Sequence, residues 1–339
     1  MGRAPRPSAD RCAHPRTHGR TSSWTVGGWI EHWLTQRRRA PNTLAHERSH
    51  FRTHFGPIVD VPLCDLTTYD CRAWLDDLRY RLQQRRPPLG QPHTVQHCYN
   101  LLRTALNGAM EHEVLELNPL VSLPRPRIPK PAPKFLTSEE VERLLHEVAA
   151  CSDPRATAVH LMLRLGLRRG EALGLIWDDL DLDAGSISIG HQLQRVPDPT
   201  VPGKTILMRV APKTTASVRI LIADEHLVEY LRAQREATTG DGRALVVQNT
   251  EGSPFDPDTV TAWLRRLGER AGVCCTPHRL RHTAATMMLR ADIALPTVGA
   301  VLGHTDLRTT AVYARVLDTS KSEAIAALGT AIGSIDGPA

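Results

Sequence analysis

The sequence predicts a mainly α-helical protein of more than one domain, in which a bundle of four helices precedes a mixed α+β domain with a small antiparallel sheet. Three observations support this fold class. Apolar residues recur at helical spacing from about residue 24 to 119, short alternating apolar segments follow Trp177, and a proline-rich basic stretch separates the two regions. A chain of 339 residues is also long for one hydrophobic core, which favours at least two domains.

The composition is that of an ordinary globular protein, with 41% hydrophobic and 23% charged residues. No apolar run approaches the roughly 20 residues that span a bilayer, and no apolar core follows the N-terminal arginines, so we expect neither a membrane span nor a secretory signal. Lys and Arg number 42 against 36 for Asp and Glu, a net charge of +6. This surplus favours a nucleic-acid partner only weakly, since many basic proteins bind none.

Cysteine usage indicates a reducing compartment. The seven cysteines are an odd number and include no CxxC pair. We therefore predict neither a disulfide framework nor a zinc site, and a cytoplasmic location fits best.

Residues 1–23 are rich in Arg, Pro, Ser and His and nearly lack apolar side chains. This composition predicts a disordered basic arm, and an unstructured leader without a role explains it equally well. The start of the chain could also be truncated or misannotated.

Residues 24–119 are expected to form the four-helix domain. Val26, Trp29, Ile30 and Trp33 make one amphipathic face. Helix starts are expected at three further places, and short connections between helices suggest a small bundle: Pro41-Asn42-Thr43, Leu66-Thr67-Thr68 and Pro92-His93-Thr94. Arginines lie among these helices, and such residues usually form only a solvated face. The run Arg37, Arg38 and Arg39 is the candidate for holding phosphates.

Residues 120–134 read as an extended basic linker. Five prolines alternate with basic residues and no acid interrupts them, so the segment is stiff and positively charged. Its DNA-binding candidates are Arg125, Arg127 and Lys130.

Residues 135–328 are expected to form the mixed domain, followed by a tail at 329–339. Thr137 and Glu140 have the spacing of a capping box at a helix start. Strands are predicted at Ser186–Ile189, 206–210 and 218–222, and the chain is expected to be helical from Asp258 almost to Leu328.

Three segments of this domain carry residues suited to phosphate chemistry. The first is GLRRGE at 166–171, where a glycine-broken turn opens a helix and places Arg168 near its electropositive N-terminus. Taken alone, a helix-starting arginine more often pairs with a surface acid.

The second segment is HRLRHT at 278–283. His278 and Arg281 are three residues apart on a helix, so they share a face. The apolar run that follows is expected to anchor the helix and to hold these two side chains at the domain surface, while Arg279 and His282 point elsewhere. A histidine in such a place is more often structural than catalytic.

The third segment, LGHTDLRTTAVY at 302–313, contains His304 and, nine positions later, Tyr313. A tyrosine on an apolar helix is usually a core residue. The chain has only five tyrosines, however, so chance placement next to this motif is less expected.

In this order and spacing, the three segments resemble the tyrosine recombinases of the phage-integrase type, over roughly Thr25 to Leu328. The resemblance implies that the helical domain is a SAM-like core-binding domain and that residues 135–328 are the catalytic domain. It implies a catalytic set of Arg168, His278, Arg281, His304 and the nucleophile Tyr313, completed by a lysine in a turn between two strands. Lys213 matches that place, and Lys204 is the competing candidate.

The residue types suit this chemistry. Two guanidiniums can each donate paired hydrogen bonds to the non-bridging oxygens of a phosphodiester and stabilise its transition state. The resemblance implies that Lys213 protonates the departing 5′ oxygen, that His278 assists proton transfer from Tyr313 and that His304 binds the phosphate. We expect both histidines to titrate near neutrality and Glu171 to orient neighbouring basic side chains.

No metal and no cofactor are expected. No carboxylate cluster with magnesium spacing accompanies the three segments, and no GxxxxGK[ST] loop is present. A covalent 3′-phosphotyrosine conserves the energy of the broken ester, so rejoining needs no ATP.

The resemblance implies partners as well: double-stranded DNA attachment sites, four protomers that exchange strands through a Holliday junction, and possible directionality or DNA-bending factors. Integration or excision of a mobile element is the main interpretation. The alternatives are a chromosome-dimer resolvase, a type IB topoisomerase and a decayed integrase that regulates by binding DNA. The C-terminal segment from Leu317 could dock on a neighbouring protomer or close its own domain.

Overall fold

The computed structural model describes residues 24–84, 91–128, 134–201, 203–212, 217–238, 240–304, 306 and 310–311. The chain divides into two compact units, residues 1–130 and 131–339. Helices dominate both units, and the described strands pair antiparallel in small sheets of the second unit, which confirms the predicted fold class. The predicted basic arm, Lys130, Lys213, Tyr313 and the tail lie outside the described residues and stay predictions.

The first unit contains α1 (Val26–Gln36), α2 (Pro41–His54), α3 (Thr68–Gln83) and α4 (Gln91–Glu111). The predicted start of α2 at Pro41 is confirmed, and Thr67 caps α3 through a capping box with Asp70. Helix α4 begins before Thr94, because proline is tolerated in the first turn of a helix, where its missing N–H has no partner to lose.

Aromatic side chains form the centre of the first unit. Trp29 donates its ring N–H to the Ala105 carbonyl at 2.7 Å, and Trp74 donates to the His54 carbonyl at 2.9 Å. Leu123, beyond the predicted boundary at 119, is buried in the same core, and its carbonyl accepts a bond from the Tyr99 hydroxyl. The packed part of this unit therefore continues into the segment that we expected to be a linker.

The described helices of the second unit pack around one main core and a smaller cluster of Ala285, Val298 and Leu302. They are α5 (Ser138–Ala149), α6 (Ala156–Arg164), α7 (Arg169–Gly174), α8 (Glu225–Ala237), α9 (Pro257–Arg270), α10 (Pro277–Arg290) and α11 (Leu295–Leu302). Helix α5 starts at the predicted capping box of Thr137 and Glu140. Helices α6 and α10 pack against each other, and Leu280 of α10 is fully buried.

Two antiparallel sheets lie in the described part of the second unit. The strands are β1 (Leu180–Asp181), β2 (Ser186–Ile189), β3 (Gln192–Pro197), β4 (Thr205–Val210) and β5 (Arg219–Ile222). The first sheet has the order β1-β2-β5, and β3 pairs with β4. Strands were predicted at the places of β2, β4 and β5. We missed β3, whose polar residues lack clear alternation, and β1, which has only two residues.

Strand β5 has two different faces. Ile220 and Ile222 are 70% and 71% exposed, whereas Leu221 is buried and lies opposite Ile187 of β2. Because side chains alternate along a strand, Arg219 shares the inward face with Leu221. No described helix is long and apolar enough to cross a membrane.

Candidate active site

A tight turn before α7 brings the first motif to the site. Gly166 has φ +64°, and a Cβ at this position would lie 2.6 Å from the Leu302 side chain, so both backbone conformation and space require glycine. The turn leaves Arg168 at the N-cap of α7.

Arg168 is the most exposed of the site arginines, with 40% of its side chain accessible. Its Nη1 donates to Glu171 Oε1 at 2.7 Å, and its Nη2 donates to the Gly303 carbonyl at 3.0 Å. The predicted pairing of such an arginine with an acid is therefore present. The acid is buried, however, and lies inside the candidate site.

Arg281 projects from α10 into the interior. Its side chain is only 3% exposed, so the expectation that it lies at the domain surface is wrong. It donates to the Gly166 carbonyl and to the Leu302 carbonyl, both at 2.6 Å. Two backbone carbonyl groups fix this guanidinium. The helix is buried at this point because the apolar residues that follow Arg281 pack into the core.

Helix α11 ends at the site. Gly303 closes it with φ +65°, a left-handed conformation that favours glycine, and His304 follows. His304 Nδ1 lies 2.9 Å from the hydroxyl of Thr310, which is fully buried. This contact orients the imidazole relative to the end of the helix.

Glu171 is the shared partner of the cationic groups. Its Oε2 accepts from the Arg168 backbone N–H at 2.9 Å and from Arg219 Nη2 at 3.0 Å, and it lies 4.0 Å from Arg281 Nη1. Burial would raise the pKa of this carboxyl, but the hydrogen bond and charge of Arg219, followed by Arg168, hold it below its ordinary value. Glu171 is thus ionised at neutral pH.

Arg219 is the site residue that sequence reasoning missed. Its side chain is 8% exposed, and it also donates Nε to the Val301 carbonyl at 2.6 Å. The available signal was an arginine on the inward face of an otherwise apolar strand. A buried charge of this kind requires partners.

The expectation that both histidines titrate near neutrality is wrong for His304, and the pKa of His278 is also lowered. Burial, together with Arg281 and Arg168, lowers the pKa of His304 to about 4, and burial followed by Arg281 and Arg168 also lowers the pKa of His278. Burial and His278 lower the pKa of His282 to about 4. Cationic neighbours and removal from water both disfavour the imidazolium, so these side chains are neutral at pH 7 in the DNA-free protein.

His282 does not point away from His278, as we had expected. The two rings meet edge to face with centroids 4.0 Å apart, because residues four apart on a helix are neighbours. Arg279 does point elsewhere, toward the Cys274 and Phe135 carbonyls.

The fold thus brings three predicted residues, Arg168, Arg281 and His304, to the end of α11. His278 is exposed on the same helix as Arg281 and close enough to both arginines for their charges to lower its pKa. Lys204, the competing lysine, is exposed just before β4. The positions of Lys213 and Tyr313 fall outside the described residues.

A match to the phage integrase family covers residues 134–320, more than half of the chain. The tyrosine recombinase XerA of Thermococcus kodakarensis is 32% identical over 219 residues, which are 64% of this chain and 70% of that protein. The chain belongs to the phage integrase family. The tyrosine recombinase XerC of Alcanivorax borkumensis is 29% identical over 301 residues, 85% of this chain and 88% of the relative.

Two solved integrase structures have the same fold as this chain. The Tn1549 transposon integrase, described in complex with a circular intermediate DNA, is 21% identical with a TM-score of 0.72, covering 86% of this chain and 95% of its own. A lambda integrase dimer bound to a COC′ core site has a TM-score of 0.64 at 19% identity, covering 86% and 78%. The predicted enzyme class, a tyrosine-type site-specific recombinase, is confirmed by the family match and its relatives.

The candidate DNA-binding arginines of this recombinase differ in exposure and in their contacts within the protein. Arg38, Arg39, Arg125 and Arg127 are exposed. Arg37 is not: its guanidinium pairs with Glu47 at 2.8 Å and stacks over the Trp33 ring at 4.3 Å, with 14% of the side chain accessible. Arg37 therefore serves the packing of its own unit in this structure.

One cluster among the described residues has metal-ligating side chains. The ligand atoms of His50, His54 and Cys98, which lie on α2 and α4, are all within 4.8 Å of one another. Burial raises the pKa of Cys98 to about 12, so its thiol keeps its proton at neutral pH and is a poor ligand in that form. The cluster lies in the first unit, whereas Arg168, Arg281 and His304 lie in the second.

Proposed function

We propose that this recombinase integrates or excises a mobile element, cleaving each DNA strand with Tyr313 and rejoining the strands through a 3′-phosphotyrosine. The observation that carries the proposal is the meeting of Arg168 and Arg281 at the end of α11, beside His304 and around one ionised carboxylate. An exposed and a buried guanidinium side by side form a preorganised receptor for a phosphodiester.

The charge of this group favours an anion. Arg168, Arg219 and Arg281 carry three positive charges, and Glu171 supplies one negative charge among them. Water is largely excluded from the buried part, so the remaining positive charge acts strongly on a nearby phosphate. Attack by tyrosine adds charge to the non-bridging oxygens, and fixed donors stabilise that charge without reorganisation.

The neutral histidines fit two separate roles. If the Thr310 hydroxyl donates to His304 Nδ1, the proton of the ring stays on Nε2, which then donates to a phosphate oxygen. His278 is exposed and uncharged, so it can accept the proton that Tyr313 loses on attack. Lys213 would return a proton to the 5′ oxygen when the ester bond breaks.

The covalent step is balanced without a co-reactant. The tyrosine oxygen forms a bond to phosphorus as the bond to the 5′ oxygen breaks, and a 5′ hydroxyl of the partner strand reverses the exchange. The number of phosphodiester-type bonds is unchanged, so neither ATP nor a cofactor is needed.

We further propose that four protomers act on two double-stranded attachment sites through a Holliday junction. A solved lambda integrase, described as a tetramer bound to a Holliday junction, supports this with a TM-score of 0.62 at 19% identity. A need for directionality or DNA-bending factors, and the cytoplasmic location suggested by cysteine usage, stay predictions.

Chromosome-dimer resolution is the second candidate function, because the relatives XerA and XerC resemble this chain over most of their length. The two functions use the same chemistry and differ in their DNA sites. Recombination between one chromosomal site and its own copy would favour the resolvase, and recombination between two unlike sites would favour the integrase.

The proposed function is tested by trapping the covalent intermediate. Nicked suicide substrates that tile the DNA flanking the gene are incubated with wild type and with Tyr313→Phe. We expect a detergent-resistant protein–DNA adduct for the wild type only, with DNA binding kept in the variant.

An adduct formed by Tyr313→Phe would contradict the assignment of the nucleophile. DNA binding by both proteins with an adduct from neither would favour a decayed integrase that regulates by binding. Relaxation of supercoiled plasmids that lack a specific site would favour the topoisomerase.

A further inference from the structure

The end of α11 receives one hydrogen bond from each of three arginines. Arg219 donates to the Val301 carbonyl, Arg281 to Leu302 and Arg168 to Gly303, at 2.6, 2.6 and 3.0 Å. The last carbonyls of a helix have no partner within the helix and carry the negative end of its dipole. Three successive carbonyls are thus bound by β5, α10 and the start of α7.

Glu171 connects the same arginines from the other side. Arg168 Nη1 and Arg219 Nη2 bond to different oxygens of this carboxylate at 2.7 and 3.0 Å. Arg219 Nη1 also donates to the Ser217 carbonyl at 2.9 Å and, more weakly, to Glu171 Oε1 at 3.4 Å. Arg219 is therefore held by carbonyls at both ends of its guanidinium and by the carboxylate between them.

We propose that Arg219 is a positioning residue for strand cleavage: it fixes Glu171 and the end of α11, and thereby places Arg168 and His304 for the scissile phosphate. This inference rests on the proposed function and deepens it. We assign Arg219 to positioning and not to phosphate binding because each nitrogen of its guanidinium already donates within the protein: Nε to Val301, Nη1 to Ser217 and Nη2 to Glu171.

The geometry explains why an arginine is needed at this position. One planar fork bonds the carboxylate through Nη2 while Nε reaches the helix carbonyl, and its direction is fixed by the strand. A lysine has a single ammonium on a flexible chain and cannot hold both partners in one plane.

Loss of Arg219 also changes the protonation of Glu171. The hydrogen bond and charge of Arg219 are the largest influences that lower the pKa of this carboxyl, and they oppose its burial. Without them the pKa of Glu171 rises, because Arg168 is then the main group left to oppose the effect of burial. Glu171 then takes up a proton as the pH falls, and Arg168 loses its carboxylate partner.

The test compares Arg219→Gln and Arg219→Lys with wild type in single-turnover cleavage of a nicked substrate from pH 8 to 5.5. At pH 7.5, Arg219→Gln should cleave about 10- to 100-fold more slowly, the size of effect that a small misplacement of reacting groups produces. DNA affinity should be unchanged within about twofold, since an interior residue adds no phosphate contact. Arg219→Lys should recover little of the rate.

The pH profile separates positioning from a loss of stability. The Arg219→Gln variant should lose additional rate as the pH falls through the raised pKa of Glu171, and Glu171→Gln in that background should abolish this dependence. Arg209→Gln is the matched control, because Arg209 also joins a carbonyl, Gly174, to a carboxylate, Asp179, and neither acceptor is one that Arg168, Arg219 or Arg281 uses. The control should show no new dependence on pH.

Cleavage by Arg219→Gln at the wild-type rate would overturn the inference. So would a slower rate that has the pH profile of the wild type and a loss no larger than that of Arg209→Gln. A wild type that binds the substrate and forms no adduct would overturn the proposed function itself, and the positioning role with it.

Discussion

Exposed arginines of the first unit and buried arginines of the second unit are used in different ways. In the first unit, Arg38 and Arg39 are exposed, and Arg79 forms a pair with Asp76 in which both side chains are about half accessible. In the second unit, Arg219 and Arg281 are buried and bonded to backbone carbonyls and Glu171. Arginine is a surface charge at Arg38 and Arg39 and a fixed structural charge at Arg219 and Arg281.

This difference separates affinity from chemistry. Exposed cations bind phosphates by releasing counterions, so their contribution falls steeply with salt and depends little on exact placement. Fixed interior cations gain little affinity but present donors in one geometry, which is what a transition state requires. Changes in the first unit should therefore alter DNA binding, and changes at the end of α11 should alter cleavage.

The largest effect is expected from Arg281→Lys. Lysine cannot reach the Gly166 and Leu302 carbonyls and also present a paired donor to the phosphate, so transition-state charge is less well stabilised. We expect single-turnover cleavage to fall by about 10²- to 10³-fold, with DNA affinity changed far less.

Arg279→Lys is the matched control, since Arg279 lies on the same helix and also bonds two carbonyls, those of Cys274 and Phe135. Each variant loses a guanidinium that donates to two backbone carbonyls. Thermal unfolding measures the loss of stability that the two variants share. Equal losses of cleavage in the two variants would mean that Arg281 acts only through stability.

A smaller effect is expected from Thr310→Val, which removes the hydroxyl next to His304 Nδ1. One neutral hydrogen bond contributes about 1 kcal/mol, so cleavage should slow by roughly five- to tenfold as the orientation of the imidazole is lost. Thr286→Val is the control, because that buried hydroxyl has no hydrogen-bond partner among the described residues. Rates that fall equally in both variants would count against a role for the His304 orientation.

The smallest effect is expected from Arg38→Ser and Arg39→Ser. Each phosphate contact that is lost should reduce the slope of log Kd against log salt by about 0.9, with the cleavage rate of the bound complex unchanged. Arg37→Ser should change the slope less, because Arg37 pairs with Glu47 inside its unit. The slopes are measured by fluorescence anisotropy. Equal changes of slope at the three positions would show that the ion pair with Glu47 does not keep Arg37 from binding phosphate.

Arg168, Arg281 and His304, which the structure brings together, could be predicted from sequence because the chemistry lies in short segments. Arg168 and Glu171 are three residues apart, as are His278 and Arg281, and helical spacing suffices to pair them. Arg219 was missed because its partners Glu171 and Val301 are 48 and 82 residues away in the chain. No local pattern reveals such contacts.

The burial of a side chain also could not be predicted from the sequence. Helical spacing placed Arg281 correctly next to His278, but whether that face meets solvent depends on how α10 packs against α6. The pKa of His304 was misjudged for the same reason, since its lowering comes first from burial and then from Arg281 and Arg168.

The proposed mechanism is tested most directly by identifying the residue to which DNA becomes covalently attached. The trapped adduct is digested with nuclease and trypsin, and the modified peptide is sequenced by mass spectrometry. We predict a nucleotide attached through its 3′ phosphate to Tyr313, in the peptide that runs from Thr309 to Arg315. A nucleotide attached to any other residue, or through its 5′ phosphate, would contradict the mechanism proposed for this recombinase.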